Sequence, residues 1–207
     1  MDQVRGAHQY HSILEELDIS SNEIAVADLR SYLIRRWEDR KLINACKAEQ
    51  LVADILREHL SCDVYHVSAN TNAADGGIDL FLCADGKNLK TAIQVKRRVT
   101  QAVELVGEIR SFVGALIIQG YRRGIFVTTA SRFSRAAKAT VNAPGLKRHR
   151  LELELIDAER LLDLLKVTTP ESKLKLPEGI NGSTMWSSMD GTESSTLSLL
   201  NAMEKSS

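Results

Sequence analysis

Asp79, Gln94 and Lys96 are the residues whose types and spacing point most directly to chemistry in this chain. The run Asp75-Gly76-Gly77-Ile78-Asp79 is followed fifteen residues after Asp79 by Gln94-Val95-Lys96. Both segments are β-rich, and alternation puts Asp79 with Phe81 and Cys83 on one face of its strand. Gln94 and Lys96 likewise share a face of theirs, with Ile93 and Val95 opposite. If the two strands pair, a carboxylate, an amide and an ammonium converge at one end of the hairpin. A hard divalent cation such as Mg²⁺ takes oxygen ligands, one or two of them carboxylates. Asp79 offers a carboxylate, Gln94 a side-chain carbonyl and Val95 a backbone carbonyl. Lys96 would then stand beside an attacking water and beside charge that builds on a phosphate. Taken alone, the same spacing also describes a plain hairpin with Asp79 in a turn and Lys96 opening a basic edge.

Glu49 shifts that balance. On a helix stepped at 100° per residue from Leu42, Ala45, Glu49, Val52, Ala53, Leu56 and Leu60 fall in an arc of roughly 100°, with Glu49 near its middle. A carboxylate on an apolar stripe must be protonated or meet a cation. An internal salt bridge, or a break in the stripe at the protein's edge, satisfies that demand, and so does the cation already inferred beside Asp79.

The elements that must position these groups can be read from pattern. Ser20 and Glu23 suggest a capping box opening a helix through Ile24–Arg36, and Asp39 suggests the cap of a second helix, Arg40–Leu60. Cys62–Val67, Ile78–Ala84 and Lys90–Val95 read as strands, the last two joined at an Asp85-Gly86 turn. A third helix runs from a Thr100 cap to Gly120. Strand Gly124–Thr129, helix Ser131–Asn142, strand Leu151–Ile156 and a helix Ala158–Lys166 capped by Asp157 complete the order. From the second helix onward this is α-β-β-β-α-β-α-β-α, a mixed sheet flanked by helices, hence an α/β fold. The organisation expected is an N-terminal helical extension over residues 1–40, a catalytic module over 41–166 and a flexible tail over 167–207. Thr168–Ser207 holds 14 Ser/Thr in 40 residues and two of the three prolines.

Composition narrows the function classes. The 207 residues carry 27 basic and 27 acidic side chains, and 43% are hydrophobic, which excludes full-length disorder. No apolar run reaches the roughly 18 residues of a membrane helix, and the polar start is unlike a signal peptide, so a cytoplasmic protein with no membrane partner is expected. Three scattered cysteines fit reduced thiols better than a disulfide frame. The neutral total hides a basic segment, for Lys96–Arg150 holds 12 Lys/Arg against Glu104 and Glu108 alone. Such a segment is the footprint of a face that meets phosphates, or else a solvated surface.

With those residues in place the chain resembles the Mrr-like branch of the PD-(D/E)xK nuclease superfamily, the restriction endonuclease-like fold with its αβββαβ core. The resemblance covers about Lys47 to Lys166. It rests on Ala48-Glu49-Gln50-Leu51-Val52, Asp75-Gly76-Gly77-Ile78-Asp79 and Ile93-Gln94-Val95-Lys96-Arg97. Further on it includes the run from Val106 to Leu116, Gly124-Ile125-Phe126-Val127-Thr128-Thr129 and Leu155-Ile156-Asp157-Ala158-Glu159-Arg160-Leu161. It implies a metal-dependent DNA endonuclease serving restriction or defence against foreign or modified DNA. Glu49, Asp79, Gln94 and Lys96 would form the catalytic set. Mg²⁺ is the implied cofactor, with Mn²⁺ as a substitute. Glutamine replaces the superfamily's commoner glutamate at Gln94, as is usual in this branch, and removes one negative charge from the metal site.

Double-stranded DNA is the implied partner, and a homodimer is expected if both strands are cut. Arg97, Arg98, Arg132, Arg135 and Lys138 are candidates to grip phosphates. Gly76 and Gly77 suit a tight turn beside the phosphate path. The residues before the module are too few for a winged helix, which leaves a partner protein as a candidate source of target recognition. Trp37 beside Arg36 and Arg40 reads better as core-edge packing than as a DNA contact. Two other readings keep the fold: a non-catalytic DNA-binding or assembly subunit, and an immune effector activated by a partner.

Overall fold

The computed structural model describes residues 18–67, 77–83, 90–100, 102–169, 185–187 and 193–195. Asp18–Pro170 forms one compact unit. Its elements are α1 (Val26–Arg35), a 3₁₀ turn (Trp37–Lys41), α2 (Ala45–Leu60), β1 (Asp63–His66), β2 (Leu80–Cys83), β3 (Lys90–Lys96) and β4 (Val103–Glu104). They continue with α3 (Val106–Gln119), β5 (Arg123–Thr128), β6 (Arg132–Phe133), α4 (Arg135–Thr140), α5 (Pro144–Arg148), β7 (Glu152–Ile156) and α6 (Ala158–Thr168). In the second unit β8 (Met185–Ser187) pairs antiparallel with β9 (Glu193–Ser195). Residues 167–169 of the expected tail close α6; apart from these and the two short strands the tail, including Leu197–Met203, lies outside the described residues, as do Asp75, Gly76 and the Asp85-Gly86 turn.

Five strands form the central sheet in the order β1-β2-β3-β5-β7. β1, β2 and β3 are antiparallel to one another, and β3, β5 and β7 are parallel. Alternation sorts the side chains into two layers. Ala92, Phe126 and Leu153 join Ile109, Phe112 and Leu116 of α3 in one buried cluster, which Phe133, Ala137 and Leu146 close from β6, α4 and α5. Phe126 is the centre of that packing, meeting Phe112 and Phe133 edge-on with centroids 5.7 and 6.1 Å apart. Ile93 and Ile125 point to the other face, which α2 and α6 cover. The core is the mixed α/β, αβββαβ arrangement expected from the sequence.

Several boundaries differ from the sequence reading, each for a tertiary reason. Ser20 is not a helix cap, because its hydroxyl and amide both turn back to Asp18, and α1 starts at Val26 without a side-chain cap. Asp39 is not the cap of α2. Its carboxylate accepts the Tyr32 hydroxyl at 2.7 Å, and Asn44 caps instead by accepting the Lys47 amide at 2.8 Å. The third helix begins at Val106 rather than near Thr100, since Val103–Glu104 pair with Arg132–Phe133 as a second small sheet. The predicted helix over Ser131–Asn142 contracts to Arg135–Thr140 behind a Ser134 cap, and α5 follows. Asp157 caps α6, and Gly120 ends α3 at φ 77°, as read from the sequence.

Helix α1 belongs to the compact unit. Leu29 and Leu33 are fully buried, and the buried Arg30 binds Asp54 and Glu58 of α2 and the Thr168 carbonyl at the end of α6. Because α2 packs against α1, α6 and the sheet together, its buried face is wider than a single stripe. It centres on Ala48, Leu51, Val52 and Ile55, and Glu49 lies on its shoulder, half-buried, rather than at its middle. Ala45 and Leu60, expected on the stripe, are exposed. None of the three cysteines forms a disulfide. Among the described residues no helix is long and apolar enough to cross a membrane.

Candidate active site

Asp79 stands immediately before β2, where that strand stops covering the edge of β3. Its backbone N–H still donates to the Ile93 carbonyl at 2.8 Å, and its carboxylate accepts the Val95 N–H at 2.7 Å. That bond satisfies a strand amide past the end of the ladder and pins the carboxylate beside Gln94-Val95-Lys96. Glu49 reaches the same place from α2. Burial raises its pKa first, and the charge of Asp79 raises it further. Among the described residues no cation neutralises Glu49, so two carboxylates repel each other across a partly dry space.

Gln94 sits in β3 beside Phe126 of β5 and is buried. Its side-chain oxygen has no hydrogen-bond partner among the described residues, a costly state for a buried carbonyl unless a ligand completes it. Gly77 explains how the amide fits. A Cβ there would stand 2.6 Å from Gln94 Nε2, and the backbone is left-handed at φ 79°, so both space and conformation call for glycine. An orphaned buried oxygen beside two mutually repelling carboxylates fits a hard divalent cation. Among the described residues no three His, Cys, Asp or Glu side chains cluster to hold a metal, so a cation here would also have to draw on amide and backbone oxygens.

Lys96 ends β3, next to Thr128 of β5. Its ammonium lies 3.6 Å from Glu108 near the start of α3, and Glu108 also meets Arg98 at 3.5 Å. Glu104 is completely buried; it takes Arg98 through two bonds of 2.9 and 2.6 Å and accepts the Thr128 hydroxyl at 2.7 Å. The sequence reading passed over this acid pair. The signal was there: Glu104 and Glu108 are the only acids in a segment of twelve basic residues. Arg98 is therefore committed to the interior rather than free to grip phosphate, and Arg97 donates to the Lys41 carbonyl at 3.1 Å. Arg132, Arg135 and Lys138 are exposed. Trp37 is partly buried in the 3₁₀ turn, with Arg40 stacked over its ring and bonded to the Thr129 carbonyl.

A mixed sheet with an acidic, amide and lysine constellation at one end of its central strand defines a restriction endonuclease-like domain. The catalytic-domain model of the Mrr-type restriction endonucleases matches residues 43–165, and the chain belongs to that family. No curated protein sequence matches it. Among solved structures it is similar to the DNA modification-dependent restriction endonuclease AspBHI, at 16% identity and a TM-score of 0.45 over 69% of this chain and 35% of that one. It is also similar to the ATP-dependent Type ISP restriction-modification enzyme LlaBIII bound to DNA, at 20% identity and 0.44 over 65% and 8%. A third is the restriction endonuclease FokI bound to DNA, at 13% and 0.43 over 78% and 30%. The chain thus spans a third or less of two of these proteins and little more than a third of the other.

Proposed function

We propose that this protein is a divalent-metal-dependent DNA endonuclease that hydrolyses phosphodiester bonds in restriction or defence against foreign or modified DNA. The observation that carries the proposal is the meeting of Glu49, Asp79 and the orphaned Gln94 oxygen beside Lys96 in a member of the Mrr-type family. Glu49, Asp79, the Gln94 side-chain oxygen and the Val95 backbone carbonyl are the residues that would hold Mg²⁺, or Mn²⁺ in its place. The cation supplies positive charge against the charge that develops on the phosphate and makes water a better nucleophile. Lys96 orients that water and stabilises the negative charge on the phosphate oxygens. Glu108 pairs with the ammonium at 3.6 Å. Cutting both strands takes two such sites, so a homodimer on double-stranded DNA is part of the proposal, with a partner protein as the source of target recognition.

Plasmid cleavage by purified protein tests it, with Mg²⁺, Mn²⁺ or EDTA and with methylated and unmethylated substrates. Metal-dependent cutting is expected, and Lys96→Ala should lower it by about 10²-fold or more. Metal-dependent DNA binding with no cutting under any condition would overturn the catalytic reading in favour of a DNA-binding subunit.

A further inference from the structure

The opposite end of the same parallel strands carries a second concentration of positive charge. Arg123 opens β5 beside Thr91, whereas Lys96 closes β3 beside Thr128. Five residues of strand, about 16 Å, separate the two ends. At the remote end the last turn of α5 and the residues after it place Lys147, Arg148 and Arg150 close in the chain to His149, which is joined to Arg122. Arg122 donates to the His149 carbonyl at 2.6 Å, and the Glu152 amide donates to the Arg122 carbonyl at 2.9 Å, so the two loops are bolted together. All five cationic side chains are exposed. Among the described residues the acid they meet is Glu152, paired with Arg123 at 2.8 Å, and no acid occurs in the sequence from Ile109 to Arg150.

Backbone conformation marks the same turn independently. Arg150 is left-handed at φ 52°. It occupies the position after the cap of α5, where the Leu151 amide reaches back to the Leu146 carbonyl at 2.9 Å and the Arg150 amide to the Lys147 carbonyl at 3.0 Å. Helices that end this way favour glycine at that position, because a side chain is strained there. An arginine in the strained position, among four other exposed cations, indicates a use that outweighs the local cost.

We infer that this remote edge is a second phosphate-binding surface, which takes the backbone of duplex DNA away from the candidate active site. The inference rests on the proposed action on DNA and adds a second region of binding to it. A straight duplex that crosses the end of β3 at Lys96 perpendicular to the strands does not run along them to their far end. The phosphates therefore come from a flank that bends around the domain or from a second duplex.

The test is fluorescence anisotropy of full-length protein with 12- and 40-base-pair duplexes in Ca²⁺, across a salt series. The variants are Arg150→Gly and the triple Lys147→Ser/Arg148→Ser/Arg150→Gly. The triple variant should bind the long duplex at least about tenfold more weakly, with a salt slope smaller by roughly 0.9 for each phosphate it no longer neutralises. Arg150→Gly should weaken binding while raising Tm, a combination that a purely structural arginine would not produce. If the flank bends, the weakening is confined to the 40-mer; if a second duplex binds, the 12-mer also falls in stoichiometry. Unchanged affinity and salt slope in the triple variant would overturn the inference, whatever the cleavage assay shows. Patch-dependent binding without metal-dependent cutting would leave it standing and sink the nuclease reading alone.

Discussion

Glu49, in the first half of α2, feels the charge of Asp79 at the head of β2, where the Asp79 carboxylate is held by the Val95 amide. Burial and that neighbour both raise the pKa of Glu49. A carboxylate raised in this way favours the fold below its unfolded pKa, and that contribution is lost as pH rises through the folded value. In metal-free protein, Glu49→Gln should therefore raise Tm at neutral pH by about 1–2 °C, since the group is only half-buried. The advantage should vanish toward acid pH, where wild type is protonated. Saturating Mg²⁺ or Mn²⁺ should stabilise wild type by about 2–3 kcal/mol at a hundredfold excess over Kd and Glu49→Gln far less. Thermal melts across pH, with and without EDTA, read both effects; a wild type indifferent to divalent cations would remove Glu49 from any metal site.

Gly77 tests the seat of Gln94. In Gly77→Ala the new methyl would meet Gln94 Nε2 at 2.6 Å with the backbone held left-handed, and something must shift. The cost in stability should be about 1–2 kcal/mol. Displacing the amide by a fraction of an ångström should also lower cleavage by up to about 10²-fold. Urea denaturation separates the first effect from the second, which is measured below the unfolding transition. Wild-type turnover in a destabilised Gly77→Ala would show that the amide position is irrelevant to the chemistry.

Glu104 is the buried half of a bidentate pair. Glu104→Gln removes the closer of the two carboxylates that meet Arg98, leaving Glu108 at 3.5 Å, and weakens the bond from Thr128. It should cost about 2–3 kcal/mol, the low end for a broken buried pair because Arg98 keeps some water. Replacing both partners with apolar residues, as in Glu104→Leu/Arg98→Met, should recover much of that stability. A single variant as stable as wild type in denaturant would mean the pair contributes nothing to the fold.

Gly124 records how closely α3 lies on β5. A Cβ there would stand 2.4 Å from Leu116 Cδ1 and 3.0 Å from Phe112. Gly124→Ala should destabilise by about 1–3 kcal/mol through overpacking. Gly114, in the same helix, has nothing within 4 Å of its Cβ position, and Gly114→Ala should stabilise by up to about 1 kcal/mol. Opposite signs in one calorimetric series are the expected result; equal signs would refute the packing account.

Much of this protein was legible in its sequence wherever the relevant physics is local. Alternation put Gln94 and Lys96 on one face, Asp157 and Gly120 marked helix ends through bonds a few residues long, and the spacing from Asp79 to Lys96 delivered two strands that pair. The misreadings fall where a local signal met a distant competitor. Asp39 has the right chemistry for a cap, but Tyr32 holds its carboxylate, so Asn44 caps in its stead. Arg98 looks like a phosphate ligand until Glu104 folds beneath it.

By itself the sequence determined the order of the central strands and the longer helices, and the identity of the groups at the end of β3. Period-two and period-3.6 patterns and the turn residues that separate them act over a few residues of chain. Only the tertiary structure decided that Glu49 sits on the shoulder of α2 within reach of Asp79, that Gln94 keeps a buried oxygen uncommitted, and that Arg122 and Arg150 share one edge. Those facts depend on which surfaces α1, α6 and β5 cover, and burial by a distant segment leaves no mark at the residue it buries.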